Sequence, residues 1–118
     1  MEGVNSKLEQ TVEAAEIKKE GIKAANVEGP ISLDLAIDKE ACAIKGYESP
    51  VAGDADILLV ADIVAGNLAA KSMPVLGGCI SGGGVVGGLL PVILVSRAAR
   101  VTDKFLAIVM AAMTSKKR

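Results

Sequence analysis

Ser96 and Arg97 stand side by side where an apolar run stops, within PVILVSRAARVTDK, and Asp103 follows six residues after the arginine. A serine hydroxyl can donate a hydrogen bond to an oxyanion developing on a carbonyl. The planar fork of an arginine can give two parallel hydrogen bonds to a phosphate. An aspartate can deprotonate a nucleophile when its surroundings bring the two pKa values together. Asp62 and the AGN triplet, which ends at Asn67, follow a second apolar run at 57–60 in the same way. In open α/β sheets, ligands bind beyond the carboxyl ends of the strands. Both groups would stand at such ends. A plain structural reading competes with this one. Arg97 can be a solvated strand end and Thr102 a helix N-cap, with Val101 and Leu106 at the positions of a hydrophobic staple. Asp103 is then the first helical residue, where a negative charge is favoured by about 0.3–1 kcal/mol.

The chain contains no histidine. That excludes Ser-His-Asp and Cys-His devices within it, and histidine-ligated zinc. A general base must then be a carboxylate, a lysine or a cysteine. Cys42 and Cys79 are too far apart for a CxxC motif and make neither a metal site nor a disulfide framework. They fit a reducing, cytoplasmic location. The opening MEGVNSKLEQ is polar and unlike a signal peptide.

Thirteen basic and 14 acidic residues leave a net charge of −1. The one basic cluster, Lys116-Lys117-Arg118, reads as a solvated tail. Aromatic content is 2%, so little surface exists for stacking bases, and nucleic-acid binding is not expected. Hydrophobic content of 51% and mean hydropathy of +0.45 rule out a disordered chain. The 118 residues suffice for one modest domain with a core of Ala, Val, Ile, Leu and Met.

The elements that must position these residues follow from periodicity. A helix is predicted over 5–24, with Leu8, Val12 and Ala15 on one face, Asn5 or Ser6 as its cap, and Gly21 weakening its last turn. Gly29-Pro30 then forces an extended or turning segment. Asp34 caps a second predicted helix that ends near Lys45, with Ile37, Ala41 and Ile44 inward and Gly46 as its stop. Residues 57–60, ILLV, read as a strand covered on both faces. A third helix starts near Gly66-Asn67 and ends by Pro74. Short apolar runs at 79–86 and 91–95 flank a bend at Gly87-Gly88. A final helix over 101–113 places Phe105, Ile108, Val109 and Ala112 on one side. Strands alternating with helices give an α/β layered class, helix-sheet-helix.

Two other features have alternative readings. Residues 72–96 carry no charge, and such a length can span a bilayer. Seven glycines and two prolines in that window, together with an α/β pattern elsewhere, favour buried strands. GGGVVG, from Gly82 to Gly87, matches a phosphate-cradling pattern. Pro91 soon after it prevents the required helix, so a glycine-rich strand or bend fits better.

GPISLDLAI, VAGDADILLVADIVAGNLAAKS and PVILVSRA together resemble the C-terminal part of the phosphate acetyl/butyryltransferase family, on its butyryltransferase side. The spacing from Lys71 through Pro91 to Ser96-Arg97 fits that pattern without a gap. The resemblance runs from about Ala25 onward and is less clear over the first helix. It implies an isocitrate/isopropylmalate-dehydrogenase-like α/β fold. It also implies reversible acyl exchange: butyryl-CoA plus phosphate gives butyryl phosphate plus CoA. Coenzyme A would be a substrate, with no tightly bound cofactor and no metal.

By the same resemblance, Asp103 takes the thiol proton, Ser96 hydrogen-bonds the charge that develops on the carbonyl, and Arg97 holds phosphate. Asp62, Asn67 and Lys71 belong to the matching motif as substrate-binding residues, while helix capping near Asn67 remains an equal reading. Family enzymes are longer, with two α/β domains and an active site in the cleft between them. Residues 1–118 are therefore expected to form a single C-terminal segment, with the preceding domain absent. Unpaired strand edges and exposed apolar surface should favour a homo-oligomer or association with the missing N-terminal part. The other classes are a non-catalytic oligomerisation or interaction module that retains the fold, and a small membrane protein spanning at 72–96. Two departures from the family pattern are the glycine content of GGCISGGGVVGG and the position of Pro74.

Overall fold

In the computed structural model, which describes residues 3–115, the chain forms two compact units, one ending at Ala61 and one beginning at Asp62. The basic triplet Lys116-Lys117-Arg118 lies outside the described residues.

The first unit is helical. Helix α1 spans Glu9–Glu20, shorter at both ends than its sequence pattern suggests. Asn5 folds a turn of its own instead of capping the helix. Its side-chain oxygen accepts from the Lys7 N–H at 3.0 Å, and its carbonyl accepts from the Leu8 N–H at 2.8 Å and the Thr11 hydroxyl at 2.9 Å. Thr11 is the buried residue of α1, while Val12 and Ala15 are half-buried and Leu8 is exposed. The helix stops at Gly21, whose φ of 68° lies in the left-handed region that glycine adopts at no steric cost. Lys18 then pairs with Glu28, whose side chain is largely buried.

Asp38 divides the helix predicted over 34–45. Its extended backbone ends α2, Leu33–Ile37, and its carboxylate accepts from the Glu40 and Ala41 N–H groups to start α3, Lys39–Lys45. Ser32, not Asp34, stands at the N-cap of α2. The break re-aims both pieces. Leu35, Ala36 and Cys42 are buried, whereas the expected inward residues Ile37 and Ile44 are exposed. Asp34 instead pairs with Lys45 at 2.8 Å, and hydrogen bonds from Lys45 and Ser32 hold its carboxyl far below the usual range. Gly46 ends α3 in the left-handed conformation, as expected.

The chain then returns under α2. The Gly53 N–H donates to the Leu35 carbonyl at 2.8 Å, and the Ala55 N–H donates to that of Ala36 at 3.0 Å. Gly53 has φ +69°, and an added Cβ would sit 2.7 Å from the Lys39 nitrogen. No other residue fits there. Residues 57–60 form no strand among the described residues, and Ile57 and Leu59 are 85% and 77% exposed. The run has the composition of a buried strand but no ladder partner to pair with.

The second unit opens with α4, Ile63–Leu76. It starts earlier than predicted because Asp62 caps it, accepting from the Val64 and Ala65 N–H groups at 2.8 Å each. Asn67 therefore lies in the second turn, away from the cap. Pro74 sits inside the helix, where it cannot donate back to Ala70, and α4 ends two residues later at Leu76, with Gly77 as its C-cap. No residue of α4 is buried.

Strands β1, Gly84–Val85, and β2, Val92–Ile93, pair antiparallel, with Gly84 opposite Ile93 and Val85 opposite Val92. The predicted runs thus shrink to two residues each, with Gly87 at φ 91° in the bend between them. Helix α5, Val101–Thr114, packs on both strands. Its buried positions are Asp103 and Ala107, with Leu106 and Val109 half-buried. Phe105, Ile108 and Ala112, expected inward, are exposed. The segment before β1 comes so close that a Cβ at Gly82 would lie 2.8 Å from the Leu106 side chain.

Helices with a small sheet give the α/β class. Apolar side chains stay exposed along 57–60, α4 and the hairpin. No helix among the described residues is long and apolar enough to cross a membrane.

Leu35 is fully buried and its carbonyl accepts from both Gly53 and Cys42. Leu35→Ala should destabilise the first unit by about 3 kcal/mol, the middle of the range for buried leucines. Denaturant unfolding followed by circular dichroism measures it.

Candidate active site

Asp103 is 4% exposed and sits in the first turn of α5. The N-cap of that helix is Arg100, in place of the expected Thr102. The Asp103 carboxylate reaches back to the Arg100 backbone N–H at 3.1 Å, the acidic half of a capping box. It accepts three more hydrogen bonds. The Arg100 side chain gives two, from Nε to Oδ2 at 3.1 Å and from Nη2 to Oδ1 at 3.2 Å. The Ser81 N–H gives the last, to Oδ1 at 2.9 Å. Arg100 Nη2 also donates to the Cys79 carbonyl. The Arg100 side chain and the Ser81 N–H hold the Asp103 carboxyl down at about 2, against the opposing effect of burial. The hydrogen bond to Asp103 and its negative charge push the Arg100 guanidinium up.

Ser96 lies just beyond β2, in a turn closed by the Ala99 N–H donating to its carbonyl at 3.0 Å. Lys71 reaches it from α4, its Nζ donating to Ser96 Oγ at 3.4 Å, a long hydrogen bond. Lys71, Ser81, Gly82, Gly83, Ser96 and Asp103 line one hollow of about 340 Å³. That volume falls at the lower end for small-molecule sites.

Three of the six residues singled out from the sequence, Ser96, Asp103 and Lys71, therefore meet around a single space. The other three lie elsewhere. Arg97 is exposed, forms no ion pair among the described residues, and is not part of the wall. Asp62 is occupied as the cap of α4, and Asn67 is exposed one turn before Lys71. Sequence reasoning missed Arg100 and the Ser81 N–H. The signal for Arg100 was present in its i,i+3 spacing to Asp103, which places opposite charges on one helix face. No cluster of three or more metal-ligating side chains occurs among the described residues.

Residues 2–112 match the family described as Phosphate acetyl/butaryl transferase. The chain belongs to that family. It is 40% identical over 122 residues to a phosphate acetyltransferase of Rhizobium meliloti, covering 100% of this chain and 39% of that protein. It is 40% identical over 119 residues to a phosphate butyryltransferase of Clostridium beijerinckii, covering 98% of this chain and again 39% of the relative. Among solved structures it is similar to a branched-chain phosphotransacylase from Enterococcus faecalis, with a TM-score of 0.86 and 37% identity, over 100% of this chain and 44% of that one. The chain thus spans well under half the length of these relatives.

Within this member of the transferase family, Asp103 ties local stability to pH. Its folded pKa of about 2 lies below the ordinary aspartate value of about 3.9. The charged form therefore contributes stability that is complete above about pH 4 and lost as pH falls through about 2. Asp103→Asn should lower Tm at pH 7, and its gap from the wild type should narrow between about pH 4 and pH 2. Paired thermal melts across that range check this. A gap constant with pH would dissociate the aspartate from the effect.

Proposed function

We propose that this chain is part of an enzyme that exchanges an acyl group between coenzyme A and inorganic phosphate, converting butyryl-CoA and phosphate to butyryl phosphate and CoA and back. The observation that carries the reading is the meeting of Lys71, Ser96 and Asp103 around one hollow, in a chain that matches the transferase family over residues 2–112. Relatives named for acetyl and for butyryl transfer are both 40% identical to it, so acetyl-CoA is the natural second substrate to compare.

In the direction of acyl-CoA formation, the CoA thiol gives its proton to a base and the thiolate attacks the acyl phosphate carbonyl. The resulting oxyanion collapses, the carbon–oxygen bond to phosphate breaks, and phosphate leaves. Ser96 suits the oxyanion. Its oxygen accepts from Lys71, which leaves the hydroxyl proton to donate. Lys71 adds a positive charge beside it. Arg97, exposed in the next position and in no ion pair among the described residues, is assigned the phosphate. Asp62 and Asn67 are assigned to substrate binding with Lys71, although one Asp62 oxygen already caps α4.

Asp103 is the proposed base. At about 2 its carboxyl lies far below a thiol near 8.5, so their proton affinities differ by more than about a millionfold. Loosening of the Arg100 hold would narrow that gap towards the ordinary aspartate value of about 3.9. No covalent acyl-enzyme enters this scheme, and no tightly bound cofactor is assigned.

The larger setting is part of the proposal. Residues 1–118 would be the C-terminal segment of a layered fold like that of isocitrate/isopropylmalate dehydrogenases, acting in the cytoplasm. It would work as a homo-oligomer or with a preceding domain, which would cover the exposed residues 57–60. That exposed run also favours a second reading, an interaction module that keeps the fold without turnover.

The test is phosphate-dependent release of CoA thiol from butyryl-CoA, with acetyl-CoA in parallel. Ser96→Ala should lower kcat by about 10²–10³-fold, as loss of an oxyanion donor does. Arg97→Ala should raise the KM for phosphate. A folded chain that releases no thiol, yet binds a copy of itself or an N-terminal partner, would favour the interaction module.

A further inference from the structure

We propose that Arg100 is the positioning residue of this site, fixing the Asp103 carboxylate at the wall of the hollow and keeping both of its oxygens engaged. The functional meaning of the hollow rests on the exchange reading above; the clamp itself rests on geometry.

Three of the four hydrogen bonds that Asp103 accepts come from Arg100, one through the backbone and two through the guanidinium. The fourth comes from Ser81. The guanidinium also holds the Cys79 carbonyl, so one planar group fixes the chain at Cys79 and the first turn of α5 together. A guanidinium does this because its donors are set at fixed angles in one plane. An ammonium carries the same charge without that fork.

The other charged groups near Asp103 do not make the clamp. Lys71, on α4, lines the same hollow but donates to Ser96. The two strands packed against α5 carry no charged residue. Lys104 follows on α5 with an exposed side chain, and Arg97 lies outside the wall. The Cys79 thiol is close enough to Arg100 to act on its charge.

The guanidinium is about half exposed, so the clamp has one face in solvent. Asp103 is then charged and immobile while Arg100 holds it, and becomes a stronger base when Arg100 is drawn away. Arg100 thereby governs the group that the exchange reading needs as base.

The experiment follows the Asp103 side-chain carboxyl carbon by NMR as pH falls, using the full chain, with the signal assigned by its loss in Asp103→Asn. The wild type should titrate at about 2. In Arg100→Gln the midpoint should rise by about one unit or more towards 3.9, a tenfold or larger weakening of the acid. Arg100→Lys should fall between the two and supplies the comparison if the glutamine variant does not fold. Circular dichroism at each pH confirms that the folded state is being read. An unchanged midpoint in either folded variant would overturn the proposal and leave Arg100 as a purely structural tie. The titration needs no turnover, so an absence of acyl exchange would count against the exchange reading alone.

Discussion

The second unit depends on a buried carboxylate that is fully occupied. Asp103 closes the first turn of α5, takes the N–H of Ser81, and is gripped by an arginine that also holds the carbonyl of Cys79. Residues brought together this way are 22 positions apart in sequence and lie on opposite sides of the hairpin. An unpartnered buried carboxylate would be costly, so the arrangement either forms as a set or does not form. The hollow beside it exists because these segments are held at that spacing, with Gly82 letting the chain approach α5.

Much of this was readable where one residue's chemistry decides a local outcome. Gly46 ends its helix because the left-handed conformation suits glycine, as its place after Lys45 predicts. The family resemblance rested on GPISLDLAI, VAGDADILLVADIVAGNLAAKS and PVILVSRA together, with the interval from Lys71 to Ser96 fitting the pattern. Lys71 and Ser96 are in contact here.

What was not readable depended on competition between neighbours. Asp34 and Asp38 both had the chemistry of a cap. The one that won broke the predicted helix and turned Ile37 and Ile44 outward. Arg97 and Arg100 are both arginines after one strand, and the sequence drew attention to the first. Tertiary geometry gave the carboxylate to the second. The run at 57–60 has a buried strand's composition, but pairing needs a neighbour that composition cannot supply.

That run is fenced by charge. Asp54 and Asp56 precede it, and Asp62 follows it after Ala61. Carboxylates beside an apolar, strand-competent stretch act as gatekeepers, because identical copies stacking in register would bring like charges together. In-register stacking of this run would therefore be opposed by charge at both of its ends. Asp54 and Asp62 thus have second duties, the first in an ion pair with Lys39 at 3.4 Å and the second as the cap of α4.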